Sequence, residues 1–576
     1  MIKSALNGDF IAPIFHWAEG SHRRALTLLA FVALLMFLPG FFTLQPMDRD
    51  EPRFAQASKQ MLETGDFVSI RFQDEALNKK PVGIYWLQAA SVALAEAAGV
   101  PQARQHIWLY RLPSLLAAIS ATCLTYWAAL AITDRRRALI AGLLMASCLL
   151  LGVEARLAKT DAVLTATVIA CSGVVMRLYL SRTLSLSQIL LFWVSLAIGI
   201  LIKGPLTPLI IGLSVAVLSY RERSVRWLRP LRGGLGLALC LAVVSPWFVL
   251  IGLKTHGAFF SQSIEQDMLG KVAQGQESHG APPLTYFALF WITAWPMAPL
   301  ALLAAPVVWF RRHDPKIIVL LAWLLPAWLM FELVPTKLPH YVLPLYPAIA
   351  ILVGAYSDEA CRLGARWLRR LSGFGLYGVP LVLVLAGCAL WLHTIIPVLP
   401  LASPAAPSLV DIMVMLFAGG AGFCALYFSR RVYHIGNMPI FISALSGAAF
   451  CFFALAYSAV LTSAAFAPFD LSQRLVAARA EQVRATGCPA LATISAGFAE
   501  PSFVFLTETG VQFGDGPAAA AFLKAEPCRL ALVNRGDEPA FLAALGPQAP
   551  VNLATRVEGL NLGSGKRLDI GVYVRQ

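Results

Sequence analysis

Residues 111–137 read RLPSLLAAISATCLTYWAALAITDRRR, an apolar run up to about Ile132 followed by Asp134 and three arginines. A helix rises about 1.5 Å per residue and the hydrocarbon core of a bilayer is about 30 Å thick, so about 20 apolar residues cross it. Short loops rich in arginine and lysine stay in the cytoplasm. The stretch therefore predicts a transmembrane helix whose C-terminal end is cytoplasmic.

The chain before this stretch contains one further clear crossing. An apolar run at about 25–44 follows Lys3, Arg23 and Arg24, and its length and the lack of a small-residue cleavage site indicate a retained anchor with a cytoplasmic N-terminus. Residues 46–110 then form a first external loop. A crossing by the apolar segment 82–100 would invert every later loop, so we expect an interfacial or re-entrant helix there.

Beyond the stretch, eleven more apolar runs bring the predicted number of spans to thirteen and place the C-terminus outside. Alternate loops are basic, as the orientation rule requires; residues 221–232 alone contain five arginines. The eleven runs cover about 138–153, 161–181, 186–203, 206–220, 233–253, 284–310, 317–334, 341–357, 374–393, 408–428 and 440–463.

The composition agrees with a polytopic membrane protein. Of 576 residues, 58% are apolar and 14% are charged, whereas a soluble chain carries roughly a quarter charged residues. The mean hydropathy is +0.67. This apolar composition excludes disordered, fibrous and nucleic-acid-binding chains. The net charge of +14 is explained by cytoplasmic loops rather than by an anionic partner.

The composition turns soluble from about residue 465. A helical run at 471–486, strand-like runs near 489–496 and 529–534, and two alternating segments around 563–565 predict a small α/β domain on the outer face. We therefore expect a transmembrane domain at 1–464 and an extracytoplasmic domain at 465–576. Cys488 and Cys528 lie in this second part and could pair in an oxidising compartment.

The ionisable residues that are not cytoplasmic gather at the external ends of the spans. Carboxylates such as Asp50 and Asp161 occur there with the cations Arg53, Lys80 and Lys203. Cations hold a phosphate leaving group, and a carboxylate takes a proton from an attacking hydroxyl. A transporter or flippase of lipid-linked sugars is the alternative of another class, but its charges are expected near mid-bilayer on broken helices.

These residues lie in seven motifs that resemble the integral-membrane GT-C glycosyltransferases, specifically the aminoarabinose-transferase and protein O-mannosyltransferase superfamily. The resemblance extends from the first span to about residue 357, and it implies an all-α polytopic membrane domain of GT-C type with the C-terminal α/β domain appended. The motifs are DEPRFA at 50–55, MLETGD at 61–66, KP at 80–81 leading into YWL at 85–87, RLPS at 111–114, AKTDA at 158–162, KGP at 203–205 and KLPHY at 337–341.

The resemblance implies transfer of a sugar, with inversion, from a polyprenyl-phosphate donor to an acceptor on the periplasmic face of a bacterial inner membrane. The acceptor is a hydroxyl of lipid A, lipopolysaccharide core or another envelope glycolipid, or alternatively of a protein. Asp50 matches the catalytic carboxylate, with Glu51 as its motif neighbour and Asp161 as the second functional carboxylate. Phosphate-binding roles fall on Arg53, Lys80 and Lys203, and substrate-binding roles on Tyr85, His279, Lys337, His340 and Tyr341.

The sequence departs from this family at its zinc site. Lys79 stands where the aminoarabinose transferases carry a metal-ligating Glu, and their His-rich element after the seventh span is missing. A lysine cannot replace a carboxylate ligand. We therefore expect no tightly held zinc and no certain cofactor; any divalent cation would be weakly held through Asp161, Asp267, Glu277 or His279.

Structural explanations compete with the functional ones. Asp50 could be a helix cap, Lys80 could be an interfacial lysine whose ammonium reaches the headgroups, and Asp161 could pair structurally with Arg156 or Lys159. We favour catalysis for Asp50 and phosphate binding for Lys80, because the surrounding motifs occur together.

Overall fold

The computed structural model contains two kinds of structure along the chain. The described residues up to 462 are mostly helical, and those from 471 onward mix helices with strands. The residues described are 11–46, 50–263, 280–363, 366–395, 409–435, 438–462, 471–546, 550–561 and 566–575.

Seven described helices are long and apolar enough to cross a membrane, and a bent pair makes an eighth candidate, as expected for a multi-pass membrane protein. The seven are Ile107–Ala129, Asp161–Ser181, Leu186–Lys203, Gly233–Lys254, Pro315–Leu333, Pro339–Tyr356 and Met438–Ser458. Other helices are Ile11–Glu19, His22–Phe37, Asp50–Thr64, Gly83–Ala97, Arg135–Ala146, Leu149–Glu154, Leu206–Glu222, Arg366–Ile395 and Leu409–Ile435. The count of thirteen crossings stays a prediction.

The helix Asp161–Ser181 is the most deeply buried of the seven candidates. Its glycine at 173 allows the ring of Trp127 to approach, since a Cβ at Gly173 would lie 2.4 Å from that ring. One turn later the Arg177 guanidinium stacks 3.7 Å from the Trp127 ring centroid and donates to the Trp127 carbonyl. A charged residue inside the bundle is thereby paired with an aromatic face and a backbone acceptor.

Three of the predicted spans are interrupted. The run at 138–153 divides at Ser147 and Cys148 into the helices Arg135–Ala146 and Leu149–Glu154. The run at 284–310 divides into Thr285–Thr293 and Met297–Phe310, which are bent by 115°.

The first predicted span, at 25–44, is also shorter as a helix than as an apolar run. It is helical over His22–Phe37, after which Pro39 and Gly40, the latter at φ 76°, carry the chain into turns. Proline has no N–H to continue a helix, and glycine adopts positive φ without strain. The apolar segment 82–100, in turn, contains the helix Gly83–Ala97, whose 15 residues measure about 22 Å and do not span a bilayer.

The first loop also contains a small hairpin, β1 (Arg71–Phe72) and β2 (Glu75–Ala76). The C-terminal unit, residues 471–575, contains a five-stranded mixed sheet in the order β4-β3-β5-β7-β6. Its strands are β3 Ala492–Ala496, β4 Gln512–Gly514, β5 Arg529–Asn534, β6 Val551–Asn561 and β7 Lys566–Arg575. Its helices are Leu471–Thr486, Pro501–Leu506, Gly516–Ala525 and Glu538–Leu545. Apart from β4 and the last three helices, these elements match the runs expected from the sequence.

A disulfide joins Cys488 and Cys528, with the two Cα atoms 5.8 Å apart. Cys528 directly precedes β5, and Cys488 lies four residues before β3, so the bond ties two adjacent parallel strands together at one end. The sequence had left this pairing open.

The C-terminal unit packs against the helix Asp50–Thr64, which we call the loop helix. The amide of Gln73, just beyond this helix, donates to the carbonyls of Thr509 and Val511 at 2.9 and 2.6 Å. The buried Lys59 ammonium donates to the Phe505 carbonyl at 3.0 Å. These bonds fix the loop helix between the membrane helices and the last hundred residues of the chain.

Candidate active site

The loop helix begins at Asp50 and so presents two carboxylates, Asp50 and Glu51, in its first turn. Negative charge is favourable there because the N-terminal end of a helix carries partial positive charge. Although they are neighbours in sequence, the two side chains lie in different surroundings.

Asp50 lies within a group of cations. Burial acts to raise the pKa of Asp50, but nearby positive charges, first those of Lys80 and Lys159, outweigh it, so that this pKa lies below its usual value. The carboxylate is therefore ionised at neutral pH, which is the state that a general base requires.

Glu51 is fully buried and forms an ion pair with Arg111. The Arg111 Nε and Nη2 atoms donate to the two Glu51 oxygens at 2.7 and 3.0 Å, and the Ala158 N–H adds a bond of 2.9 Å. The Arg111 guanidinium also donates from Nη1 to the Leu44 carbonyl at 2.7 Å and from Nη2 to the Gln45 carbonyl at 2.9 Å. Because both carboxylate oxygens are engaged, the geometry does not fit the expectation that Glu51 acts catalytically.

A second carboxylate group lies at the start of the helix Asp161–Ser181. The Lys203 ammonium is 2.6 Å from Asp161 Oδ1, and His340 Nε2 is 3.8 Å from Asp161 Oδ2. The other nitrogen of His340, Nδ1, is 3.7 Å from Glu154 Oε1. Asp161 thus pairs with Lys203 rather than with Arg156.

Arg156 is instead used for packing. Its guanidinium is fully buried, lies 4.7 and 4.3 Å from the ring centroids of Phe453 and Tyr457, and donates to the Pro39 carbonyl at 2.7 Å.

The first-loop residues expected to bind the donor lie around an aromatic pair. The Lys80 ammonium is 4.5 Å from the centroid of the Phe54 ring, and this ring lies 5.3 Å from that of Tyr85. Tyr85 is buried near Asp50; burial first, and the Asp50 charge second, raise the pKa of its hydroxyl. Arg53 is exposed.

The residues of the 337–341 motif separate into two groups. Tyr341 lies beside the carboxylate cluster, with its ring centroid 5.1 Å from the Lys203 ammonium. Lys337 is turned toward the backbone and donates to the carbonyls of Ala281 and Val334 at 3.1 and 2.6 Å. These bonds hold two chain segments together, so they do not support the expected substrate-binding role of Lys337.

Comparison with known proteins adds to this geometry. The family model described as dolichyl-phosphate-mannose-protein mannosyltransferase matches residues 79–250, which include Lys80, Asp161 and Lys203. An undecaprenyl phosphate-alpha-4-amino-4-deoxy-L-arabinose arabinosyl transferase of Pectobacterium carotovorum is 24% identical over 439 residues, 74% of this chain and 75% of its own. A Pseudomonas aeruginosa protein of the same name is 28% identical over 366 residues, 62% and 64% of the two chains.

The fold is similar to that of a solved structure. The crystal structure of ArnT from Cupriavidus metallidurans bound to undecaprenyl phosphate matches with a TM-score of 0.70 and 17% identity, covering 95% of this chain and 97% of that chain. This match shows a shared fold, in which the polar groups described above lie at the ends of apolar helices.

The candidate metal ligands that the structure brings together differ from those expected from the sequence. Lys79 is exposed, and the candidate ligands Asp267, Glu277 and His279 lie outside the described residues. In the described part of the chain, candidate ligand atoms of Glu154, Asp161 and His340 lie within 4.8 Å of one another, and all three residues are buried. Two carboxylates and an imidazole can hold a divalent cation. However, the Lys203 ammonium already neutralises Asp161 at 2.6 Å, so a cation there would meet a competing positive charge.

The sequence did not identify three residues that the structure places beside the predicted ones. Glu154 was not singled out, Lys159 was considered only as a structural partner of Asp161, and Arg111 was noted only as part of a motif. The signal for Lys159 was its position two residues before Asp161 in the AKTDA motif. For Glu154 and Arg111 the partners lie 186 and 60 residues away in sequence, counted from His340 and Glu51, and only the packing of the helices brings them together.

Proposed function

We propose that this chain transfers a sugar from a polyprenyl-phosphate donor to a hydroxyl of an envelope glycolipid, with inversion, on the periplasmic face of a bacterial inner membrane. The observation that carries the proposal is the ionised Asp50 among Lys80, Lys159, His340 and Arg53, at one end of an apolar helical bundle. A membrane-level site admits both a polyprenyl chain and an acceptor from the water side.

In this mechanism Asp50 accepts the proton of the acceptor hydroxyl. The acceptor oxygen forms a bond to the anomeric carbon as the bond from that carbon to the phosphate oxygen breaks, and the electron pair leaves with polyprenyl phosphate. Lys80 and Arg53 neutralise the charge that grows on the phosphate in the transition state. Attack from the face opposite the phosphate inverts the configuration of the anomeric carbon.

A second cluster, formed by Asp161, Lys203, His340 and Glu154, is assigned a supporting role in this reaction. We assign Lys203 to the donor phosphate, with Asp161 orienting its ammonium and His340 bridging Asp161 and Glu154. Tyr85 and Tyr341 lie against the two clusters and are proposed to contact substrate. Glu51 is assigned a positioning role, because its ion pair with Arg111 holds the first turn of the loop helix.

The proposal includes an orientation for the chain. We place the N-terminus in the cytoplasm and the C-terminal domain, residues 465–576, in the periplasm. The disulfide between Cys488 and Cys528 supports this placement, since such bonds persist in oxidising compartments. The contacts between the C-terminal unit and the loop helix support it as well, since they place the two on the same side.

The donor follows from the relatives. Two are named as undecaprenyl phosphate-alpha-4-amino-4-deoxy-L-arabinose arabinosyl transferases, which favours a polyprenyl-phosphate donor here. The glycolipid acceptor is proposed from the resemblance of the motifs. The name of the matching family model favours a protein hydroxyl as the alternative acceptor.

The test is a transfer assay with the purified chain in nanodiscs and radiolabelled undecaprenyl phosphate 4-amino-4-deoxy-L-arabinose, with lipid A, lipopolysaccharide core or a Ser/Thr-rich peptide as acceptor. Labelled glycolipid that forms with wild type and not with Asp50→Asn supports the proposal, whereas labelled peptide selects the protein acceptor. If a panel of undecaprenyl-phosphate sugars gives neither transfer nor donor cleavage, while labelled donor moves between leaflets, the chain is a flippase and the proposal fails.

A further inference from the structure

A groove with exposed apolar side chains lies on the surface of the bundle, away from the residues described so far. It runs between the helices Leu206–Glu222 and Pro315–Leu333 and has a volume of about 840 Å³. Ile318, Leu321, Leu325 and Leu329 line one wall, at spacings of three and four residues that place them on a single helix face. The groove is therefore apolar along its length.

Two arginines stand at one end of this groove. Arg221 and Arg223 belong to its lining, at the end of the first helix, together with Tyr220. The intervening Glu222 does not neutralise them, because its oxygens bind Arg182 and the Tyr179 hydroxyl, each at 2.9 Å. Neither Arg221 nor Arg223 forms an ion pair with any residue that the structure describes. This end of the groove, which we call its mouth, thus carries two positive charges.

The groove mouth is at the opposite end of the bundle from Asp161. The helix Leu206–Glu222 begins three residues after Lys203, which binds Asp161, and it carries the chain about 22 Å to Arg221. With a hydrocarbon core of about 30 Å, the mouth lies near the other membrane surface. The proposed orientation makes this the cytoplasmic surface, and the inference rests on that orientation only for the leaflet from which the ligand comes.

The dimensions of the groove match one leaflet. From Ile318 to Leu329 a helix rises about 16 Å, which is about half of the hydrocarbon core. Leu325 and Leu329 are 54% and 61% exposed, so this wall is open to an acyl chain. Tyr220 is 88% exposed beside the arginines, where an aromatic residue suits the boundary between headgroups and chains.

We propose that this groove binds an anionic phospholipid, with its phosphate on Arg221 and Arg223 and one acyl chain along the wall formed by Ile318, Leu321, Leu325 and Leu329. The two guanidiniums offer a planar array of donors to phosphate oxygens. A zwitterionic lipid fits less well, because its ammonium would lie near the same two positive charges. The site is separate from the donor site in position and in leaflet.

The experiment measures lipid binding by native mass spectrometry. The full chain is purified in detergent, stripped of lipid and titrated with phosphatidylglycerol or with phosphatidylcholine. We expect wild type to prefer phosphatidylglycerol, and Arg221→Gln with Arg223→Gln to bind it about 30-fold more weakly, which corresponds to about 2 kcal/mol for two basic residues at a membrane surface.

Two further variants separate a built site from general surface charge. Arg226→Gln with Arg229→Gln removes the same charge from the same loop but does not line the groove, and we expect near wild-type binding. Leu325→Trp fills the groove without changing charge and should also weaken binding. Equal losses in the two arginine pairs, no effect of Leu325→Trp, no headgroup preference in wild type, or a dimer that Leu325→Trp dissociates would each overturn the proposal. None of these readouts depends on transferase activity.

Discussion

Asp50 and Glu51 are adjacent carboxylates in one helical turn, yet their surroundings differ in the property that decides function. Glu51 is closed off: its two oxygens accept three hydrogen bonds from Arg111 and the Ala158 N–H. Asp50 has several cations near it and remains half-buried. A fully buried carboxylate that is bound by a cation on both oxygens stabilises structure, whereas a partly exposed carboxylate that nearby cations keep ionised can accept a proton. The following changes test this difference, beginning with the largest expected effect.

Asp50→Asn keeps the size of the side chain and removes the base. We expect the transfer rate to fall by about 10² to 10⁴, as is typical for loss of a general base. The thermal unfolding midpoint should stay close to that of wild type. The rate is measured with donor and acceptor in nanodiscs at equal protein. A near wild-type rate would make Asp50 a helix cap.

Arg111→Gln leaves the Glu51 carboxylate buried without its cation. Removing one partner of a buried pair costs about 3 to 5 kcal/mol, so expression and thermal stability should fall strongly. Replacing both partners, as Glu51→Gln with Arg111→Met, should recover much of the stability, which can be followed by thermal unfolding in detergent. If the double variant is stable but lacks activity entirely, Glu51 takes part in the reaction itself.

Lys80→Gln removes one of the charges that lower the pKa of Asp50, while the burial that raises it remains. The carboxylate then takes up a proton at higher pH, so the acidic limb of the kcat/KM profile should move to higher pH. Lys80→Arg keeps the charge and should leave the limb in place. An unchanged limb in Lys80→Gln would show that Asp50 is not the group that titrates, or that Lys80 lies too far away to affect it.

Gln73→Ala removes the two hydrogen bonds to the carbonyls of Thr509 and Val511 on the far side of the loop helix. At about 0.5 to 1.5 kcal/mol per bond, we expect a severalfold fall in kcat with little change in the donor KM. Gln105→Ala is the matched control, since this exposed side chain makes no hydrogen bond among the described residues. Equal effects of the two variants would exclude a positioning role for the C-terminal unit.

Chelation should have the smallest effect. Asp161 is intermediate between the two carboxylates compared above, because Lys203 binds one of its oxygens and His340 lies near the other. Since an ammonium already supplies positive charge there, treatment with EDTA should change the transfer rate by less than about twofold. Complete loss with rescue by added metal, or one zinc per chain by elemental analysis, would make Glu154, Asp161 and His340 a metal site.

The sequence predicted the parts of the site that depend on local motifs and on membrane orientation. Asp50, Lys80, Asp161 and Lys203 all follow or precede apolar runs on the side that the basic loops assign to the exterior, so their common location could be inferred. The partner of each charge could not be inferred from the sequence. Several external cations were available to Glu51, and Arg111 is its partner only because the packed helices bring the two residues together.

The helix breaks also differ in whether the sequence signals them. Pro296 marks the break in the run at 284–310, because proline has no N–H to continue a helix. In the run at 138–153, Ser147 and Cys148 are ordinary residues for a membrane helix, and the break reflects tertiary contacts, including the hydrogen bond from Ser147 to Ser446.

The contacts of the loop helix impose an order on how the protein matures. Lys59 and its acceptor, the Phe505 carbonyl, are 446 residues apart in the chain. At synthesis rates of about 5 to 20 residues per second, Asp50 is synthesised roughly 20 to 90 s before the segment that contains this acceptor. Until then the Lys59 ammonium lacks this acceptor. A chain that has inserted only its first spans is therefore not yet active. Premature termination near residue 490 is expected to leave a membrane-embedded but inactive protein.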